Sequence, residues 1–265
     1  MQKNASYGSP IGIFSGSTMK IIACIIMLID HAGLILFPSY GIFRIIGRIG
    51  FPLFAYFIAE GSHYTKRKLK RFIIILSMGI AYLLIYYFFM DQLYASVFLS
   101  FSFSLVFTEL LDRIKKALFG DKKYLTASVY SAVFAASMVG TWFVFEAIDF
   151  DYGFFGMLIP VLVNLFDFKG IAAPKPLLAL DSFYGRFICY SIGVALVVFQ
   201  HAPRYLDVFG KALPMEYFAF LSIPALLLYN GKVGNKKLKY FFYIFYPVHL
   251  VVLEAIAILL YIFAQ

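Results

Sequence analysis

Charged residues are scarce in this chain of 265 residues, since they make up 14% of it while 62% is hydrophobic. Soluble domains are roughly a quarter charged, so the composition excludes an ordinary soluble fold and indicates an integral membrane protein. Cysteine is scarce too. Cys24 and Cys189 both lie in apolar stretches, which excludes a disulfide framework or a cysteine-based metal cluster.

Acidic residues are fewer than basic ones, 14 against 23, which gives a formal net charge of +9. Basic loops on the cytosolic side of a membrane explain this excess, and nucleic-acid binding is not indicated. The basic residues fall in every other connection between apolar stretches, at residues 66–71, 113–123, 169–175 and 232–239. This alternation predicts that the amino terminus and the basic loops lie in the cytosol.

Apolar windows long enough to form membrane helices recur along the chain. They cover residues 19–37, 42–59, 72–90, 95–111, 124–147, 152–168, 183–200, 213–229 and 241–263. Because about 20 apolar residues cross a bilayer, the sequence predicts an all-α polytopic membrane bundle of about nine transmembrane helices. We expect residues 1–17 to form a cytosolic tail and residues 18–265 to form a single transmembrane domain.

Several ionisable side chains lie inside these apolar windows. A charge at the centre of a membrane helix costs about 2.5–3.5 kcal/mol, so such groups are functional candidates. At a rise of about 1.5 Å per residue, Asp30, His31 and Arg48 reach the same depth in the membrane. An ion pair between Asp30 and Arg48 is therefore feasible. Simple pairing and a direct catalytic role remain equal alternatives for these two. The candidates are Asp30, His31, Arg44, Arg48, Glu60 and His249.

Lys20 and His31 share one face of the first predicted helix. Eleven residues at about 100° each return to nearly the same direction, with about 16 Å between them along the axis. Asp30 points about 100° away, so we expect the group that orients His31 to come from elsewhere in the chain. This face therefore carries a cation at the cytosolic end of the helix, which can also simply extend to the membrane interface, and a titratable imidazole deep in the membrane. Pro247 is expected to break the last helix before His249.

The runs TMKIIACIIMLIDHAG (residues 18–33) and FRIIGRIGFPLFAYFIAEGSHYT (residues 43–65) resemble the TraX family, which is associated with amino-terminal acetylation of conjugative pilin. The segments DYGFFGMLIP, LLLYNGK and KYFFYIFYPVHL also fit that family. The spacing of Lys20 and His31, and the pair Arg44 and Arg48, are similar to motifs of the acyltransferase-3 membrane enzymes. Those enzymes pass an acyl group from cytosolic acyl-CoA to an acceptor at or beyond the membrane.

These resemblances imply a multi-pass acetyltransferase of a cell membrane, expected to be the bacterial inner membrane. The acetyl donor would be acetyl-CoA, and the reaction would need no metal. The acceptor would be an amine or hydroxyl group of a pilin-like protein, a glycan or a small molecule at the lipid bilayer. The resemblances imply three sets of roles for the candidate residues. We expect catalysis by His31, Asp30 and Arg48, acetyl-CoA binding by Lys20 and Arg44, and acceptor binding by Glu60, Tyr246 and His249.

Two other classes of function remain open. A proton-coupled transporter of small molecules would use buried Asp, His and Arg as a proton relay and as counter-ions. A noncatalytic membrane partner that positions a secreted protein would need the apolar surface alone. Zinc is not expected, because the histidines lie in separate elements without a close-spaced pair of ligands.

Overall fold

The structure, a computed structural model, describes residues 7–200, 204–208 and 211–263. Helices dominate these residues, as the apolar composition predicts. The α-helices within these ranges are α1 (Gly16–Ile35), α2 (Gly41–Gly47), α3 (Gly50–Tyr64), α4 (Lys68–Met90), α5 (Val97–Lys115), α6 (Tyr124–Ala147), α7 (Gly153–Val163), α8 (Lys175–Leu180), α9 (Phe183–Phe199), α10 (Ser222–Leu226) and α11 (Lys239–Phe263).

Within the same ranges, two small sheets, one π-helical turn and two 3₁₀ turns join these helices. Strand β1 (Tyr94–Ala95) pairs in parallel with β2 (Asp149–Phe150), and β3 (Tyr205–Val208) pairs antiparallel with β4 (Lys211–Pro214). A π-helical turn follows α5 at Lys116–Gly120. 3₁₀ turns precede α10 and α11, at Met215–Leu221 and Lys236–Leu238.

The chain folds into two compact units. Residues Ala55–Val197 form the middle unit, and the described residues of 7–54 and 198–263 form the terminal unit. The division falls within α3 and within α9. Whether residues 18–265 act as one transmembrane domain stays a prediction.

Five helical stretches among the described residues are long and apolar enough to cross a membrane, which supports a helical membrane protein. Three further apolar helices are shorter, at Gly153–Val163, Phe183–Phe199 and Met215–Leu226. The count of nine spans and the cytosolic amino terminus therefore stay predictions. The five candidate spans are Gly16–Ile35, Gly41–Tyr64, Lys68–Phe88, Tyr124–Ala147 and Tyr240–Phe263.

Helix α5 is the central element of the middle unit, where it packs against α4, α6 and α7. Small serines on its buried face let the neighbouring backbones approach closely. The hydroxyl of Ser104 donates to the carbonyl oxygens of Ser100 and Met157, at 3.1 and 2.7 Å. Aromatic rings close the same core, since Phe145 stacks on Phe150 with 3.8 Å between ring centroids.

Residues 7–14 do not extend away from the terminal unit. The amide of Ser9 donates to the carbonyl of Tyr229 at 2.8 Å, and that of Phe14 donates to Leu228 at 2.8 Å. The Ser15 hydroxyl then accepts from the amide of Thr18 at the start of α1. This part of the expected tail is thus anchored to residues 228–230, while residues 1–6 lie outside the described residues. The side of the membrane on which it lies stays a prediction.

Helix α11 continues through Pro247, so the prediction that this proline breaks the helix before His249 is wrong. Proline removes one amide donor, but a membrane helix keeps its other backbone bonds because no water competes for them. The unbroken helix holds His249 one turn beyond Phe245. The imidazole Nδ1 of His249 is consequently 2.9 Å from the Phe245 carbonyl oxygen.

Two glycines allow α1 and α2 to pack closely in the terminal unit. A β-carbon at Gly33 would overlap the side chain of Phe43, and one at Gly47 would overlap the carboxylate of Asp30. The carboxylate of Asp30 thus occupies the volume that a side chain at position 47 would fill. This close approach brings Arg44 and Arg48, on either side of Gly47, within reach of Asp30.

We expect Gly47→Ala to lower the unfolding free energy by about 1–3 kcal/mol, because overpacking outweighs the better helix propensity of alanine. Gly140→Ala in α6 is the matched control, since no atom lies within 4 Å of its added β-carbon. Thermal unfolding in detergent measures both. Equal melting temperatures for the two variants would contradict the close packing of Asp30 on α2.

Candidate functional site

Two histidines from opposite ends of the sequence meet in the terminal unit. Nε2 of His249 on α11 lies 3.0 Å from Nδ1 of His31 on α1, within hydrogen-bond distance. Their ring centroids are 5.0 Å apart. The group that contacts the His31 imidazole therefore comes from α11 and not from its neighbour Asp30, as the helical geometry of α1 predicts.

The hydrogen bonds of His249 assign the protons of both rings. A carbonyl oxygen only accepts, so Nδ1 of His249 carries the hydrogen that is donated to Phe245. In a neutral ring Nε2 then accepts, and the hydrogen in the bond between the rings belongs to Nδ1 of His31. The imidazole of His31 also forms a hydrogen bond with the backbone of Met27 on its own helix.

Aromatic and aliphatic groups surround the two imidazoles. Phe245 stacks on His249 with centroids 4.8 Å apart, and the edge of Tyr246 meets both histidine rings at 5.4 and 6.3 Å. An open apolar groove of about 490 Å³ passes beside His249 between α1 and α11. Its other walls include Leu28, Ala32, Val252 and Ile256.

The residue before His31 binds two arginines. Nη1 of Arg44 lies 2.7 Å from Oδ1 of Asp30, and Nη2 of Arg48 lies 3.7 Å from Oδ2. The ion pair of Asp30 with Arg48 that the sequence predicts is present, but Arg44 is the closer partner. Asp30 and Arg48 are each 7% exposed and the side chain of Arg44 is 20% exposed, so the two guanidinium groups and the carboxylate form a cluster that is largely buried. Its formal charge is +1, which favours an anion or a developing negative charge nearby.

Two further candidate residues are Lys20 and Glu60. Lys20 is half-buried near the start of α1, eleven positions before His31 on an uninterrupted helix. Glu60 lies in the middle unit, where it is 2% exposed. The roles assigned to Lys20, Arg44 and Glu60 stay predictions.

Comparison with known proteins identifies the family of this chain. The family described as TraX protein matches residues 15–257. The chain belongs to the TraX family. It is also similar to the uncharacterized protein RP591 of Rickettsia prowazekii (strain Madrid E), with 48% identity over 52 residues that span 20% of this chain and 21% of that protein. No solved structure matches it.

The TraX match includes the histidine pair and the Asp30 cluster, but the structure also brings together charged residues that sequence reasoning missed. In the middle unit, Nδ1 of His63 and Nη2 of Arg186 contact the fully buried carboxylate of Asp167 at 2.9 and 2.8 Å. Nζ of Lys115 donates to the backbone carbonyl of Asp167 at 2.6 Å. Arg186 was detectable in the sequence, as an arginine inside the apolar window 183–200.

A double-mutant cycle tests the arrangement around Asp30 in this TraX-family protein. Asp30→Asn and Arg44→Gln should each destabilise it, because each leaves a buried charge without its partner. At 2.7 Å we expect a coupling free energy of about 1–3 kcal/mol, and less for the cycle with Arg48→Gln at 3.7 Å. Chemical unfolding in detergent provides the measurement, and additive losses in both cycles would show that neither pair forms.

Proposed function

We propose that this TraX-family protein is an integral membrane acyltransferase, and that it moves an acetyl group from cytosolic acetyl-CoA to an amine or hydroxyl acceptor. The observation that carries the proposal is the pairing of His31 with His249 beside the cationic cluster of Asp30, Arg44 and Arg48. Acyl transfer needs a base and a stabiliser of negative charge, and adjacent residues of α1 supply or hold both.

His31 acts as the base in this mechanism. Its Nε2 takes the proton of the acceptor amine or hydroxyl, whose nitrogen or oxygen then attacks the thioester carbonyl. The new C–N or C–O bond forms, the C–S bond breaks, and the proton passes from the imidazolium to the leaving thiolate. A route in which His31 first accepts the acetyl group remains an alternative.

His249 positions His31. It accepts the hydrogen of His31 Nδ1, so the basic nitrogen of His31 remains Nε2, and it is itself fixed by the Phe245 carbonyl. Stacking on Phe245 and the edge of Tyr246 restrict the rings further. An orienting partner of this kind lowers the entropy lost when the reacting groups align.

The Asp30 cluster supplies the positive charge for the oxyanion. The tetrahedral intermediate carries its negative charge on the former carbonyl oxygen, and buried guanidinium groups stabilise such a charge strongly. Asp30 holds Arg44 and Arg48 in place and balances one of their two charges. These two guanidinium groups are the ones that would bind the oxyanion.

Acetyl-CoA would bind with its phosphates near Lys20, as the spacing from His31 suggests. The family's association with acetylation concerns the transferred group, and a pilin-like protein, a glycan or a small amine would each meet the chemical needs of the acceptor. The groove beside His249 offers an apolar approach for an acceptor that resides in the membrane.

The competing function is proton-coupled transport. It draws on the same buried ionisable groups, because His31 and His249 would exchange a proton while Asp30 and its arginines act as counter-ions. Consumption of acetyl-CoA distinguishes the two functions. Purified enzyme supplied with acetyl-CoA and an amine or hydroxyl acceptor releases free CoA and forms the acetylated acceptor, whereas a transporter in vesicles moves its substrate without consuming the thioester.

We expect His31→Ala to lower acetyl-CoA-dependent release of CoA at least about 100-fold, the contribution typical of a general base, and to leave the protein folded. Activity should be measured with a thiol reagent and folding by thermal unfolding in detergent. Near-normal turnover in His31→Ala would remove His31 from the chemistry. His249 gives a matched pair of variants, because the amide oxygen of glutamine can still accept from His31. His249→Gln should therefore keep more activity than His249→Ala.

Lys20 gives a test of donor binding. If its ammonium holds the phosphates as a point charge, Lys20→Ala should raise the acetyl-CoA concentration needed for half-maximal rate and change the saturated rate less. Lys20→Arg keeps the charge and should retain most of the affinity. Isothermal titration with CoA reads the binding directly, and unchanged affinity in Lys20→Ala would show that the lysine only anchors α1 at the interface.

A further inference from the structure

The loop that precedes α11 in the terminal unit carries four lysines within eight residues, at positions 232, 236, 237 and 239. Lys232, Lys236 and Lys237 are exposed. No acidic residue occurs in residues 217–253, nor in residues 1–29, which include the start of α1. Within the part of the chain that the structure describes, these three ammonium groups have no carboxylate partner.

Lysines near the connections of the middle unit are neutralised instead. The carboxylate of Asp112 contacts Nζ of Lys169, and it lies 3.0 Å from Nζ of Lys68 and 3.4 Å from that of Lys115. A loop that only sets membrane orientation would serve equally well with such partners. The loop before α11 therefore presents a positive charge that its own surroundings do not balance, and this charge favours a multiply charged anion.

Hydrogen bonds hold this loop against the start of α1. The amide of Gly16 donates to the carbonyl oxygen of Lys232 at 2.7 Å, and the amide of Asn235 donates to the hydroxyl of Ser17 at 2.9 Å. Gly234, with a φ of 78°, permits this contact, because a β-carbon there would overlap the Ser17 hydroxyl. The lysines thus project from a backbone that is fixed on α1.

Two asparagines shape the loop itself. Oδ1 of Asn230 accepts from the amide of Lys232 at 3.0 Å, and Oδ1 of Asn235 accepts from the amide of Lys237 at 2.9 Å. Each bond joins an asparagine to the backbone two residues further on, which is the contact that forms an Asx turn. A loop ordered in advance loses less entropy when a ligand binds to its side chains.

The helices that begin at this loop carry the histidine pair at a distance that suits CoA. At about 1.5 Å per residue, His31 lies about 21 Å from Ser17, and His249 lies about 15 Å from the start of α11. The arm of CoA between its diphosphate and its sulfur is a chain of about 13 bonds, and an extended chain advances about 1.2 Å per bond, which gives about 16 Å. Phosphates bound at the loop would therefore allow the thioester to reach the level of the histidines.

We propose that Lys232, Lys236 and Lys237 form a binding site for the phosphates of CoA. Ammonium groups attract phosphate as point charges and donate hydrogen bonds to its oxygens. The 3′-phosphate and the diphosphate of CoA carry several negative charges, which the three lysines without carboxylate partners match. The proposal rests on the proposed function for the identity of the carrier, and it adds the loop before α11 to the donor site suggested for Lys20.

Titration calorimetry with CoA tests the site on the full-length protein in nanodiscs of phosphatidylcholine. These discs expose both faces of the membrane, so the orientation of the protein does not limit access. We expect each single substitution by glutamine to weaken binding up to about fivefold, the effect of one exposed charge pair. The triple variant Lys232→Gln/Lys236→Gln/Lys237→Gln should weaken it at least about tenfold. High salt should reduce this difference, since it screens exposed charges.

A second triple variant is the charge-matched control. Lys116→Gln/Lys122→Gln/Lys123→Gln removes the same charge from exposed lysines in the connection between α5 and α6, and it should bind CoA as the wild type does. Dephospho-CoA lacks the 3′-phosphate, so it should lose less affinity than CoA in the first triple variant. Thermal unfolding verifies that each variant is folded, and the single variants carry the test if the triple variant is not.

A further measurement distinguishes the phosphates of CoA from those of lipid head groups. Native mass spectrometry reads how much phosphatidylglycerol the purified protein retains. Less phosphatidylglycerol on the first triple variant, together with an unchanged affinity for CoA, would show that the lysines bind the bilayer and would overturn the proposal. CoA binding that depends on the three lysines in phosphatidylcholine alone supports CoA as the ligand.

Equal affinity for CoA in the wild type and in the first triple variant would overturn the proposal, and so would an equal loss in the control variant. The proposed function can fail separately. CoA binding that depends on the three lysines, without any acetylated acceptor formed from acetyl-CoA, would leave this site standing and reject the acetyltransferase. Acetyl transfer with no effect of the first triple variant on CoA binding would do the reverse.

Discussion

The carboxylate of Asp30 must be neutralised where it lies, and the packing of α1 on α2 follows from that need. A buried carboxylate without a partner costs several kcal/mol, so the two helices must approach closely enough for guanidinium groups to reach it. Gly47 permits this approach because it leaves the volume that the carboxylate fills. Arg44 and Arg48, on either side of Gly47, then contact Asp30 without leaving helical geometry. A local constraint of charge thus fixes both a helix pair and the cationic half of the candidate site.

The histidine pair depends on that frame. His31 follows Asp30 directly, so the same contact that holds Asp30 against α2 fixes the direction in which the imidazole leaves α1. His249 reaches it because α11 continues through Pro247 and places the ring one turn beyond Phe245. The proposed chemistry needs both the placement of His31 by Asp30 and the placement of His249 by α11.

Helical geometry and the cost of buried charge were enough to predict the membrane class, the ion pair of Asp30 with Arg48 and a partner for His31 from outside α1. They were not enough to identify that partner, because the pairing of α1 with α11 joins residues 218 positions apart and no local pattern encodes it. Pro247 was misread because a rule for helices in water was applied to one surrounded by apolar groups.

The cluster around His63 was missed for another reason. Sequence reasoning treated Lys115 and Lys169 as loop charges that set membrane orientation, whereas the structure turns both inward to carboxylates and carbonyls. Asp167 follows the end of α7 and Arg186 lies in α9, and only the packing of the folded chain brings the two side chains into contact.

The spacing of these partners has a consequence for biogenesis. Arg44 and Arg48 follow Asp30 within 18 positions, so the carboxylate gains its counter-ions as soon as α2 leaves the ribosome. His31 has to wait for a partner made 218 positions later, about 10–40 s at ordinary rates of translation. The nascent protein therefore spends the synthesis of these residues with its charge neutralised and its base unassembled, and the histidine pair forms only after His249 has been made.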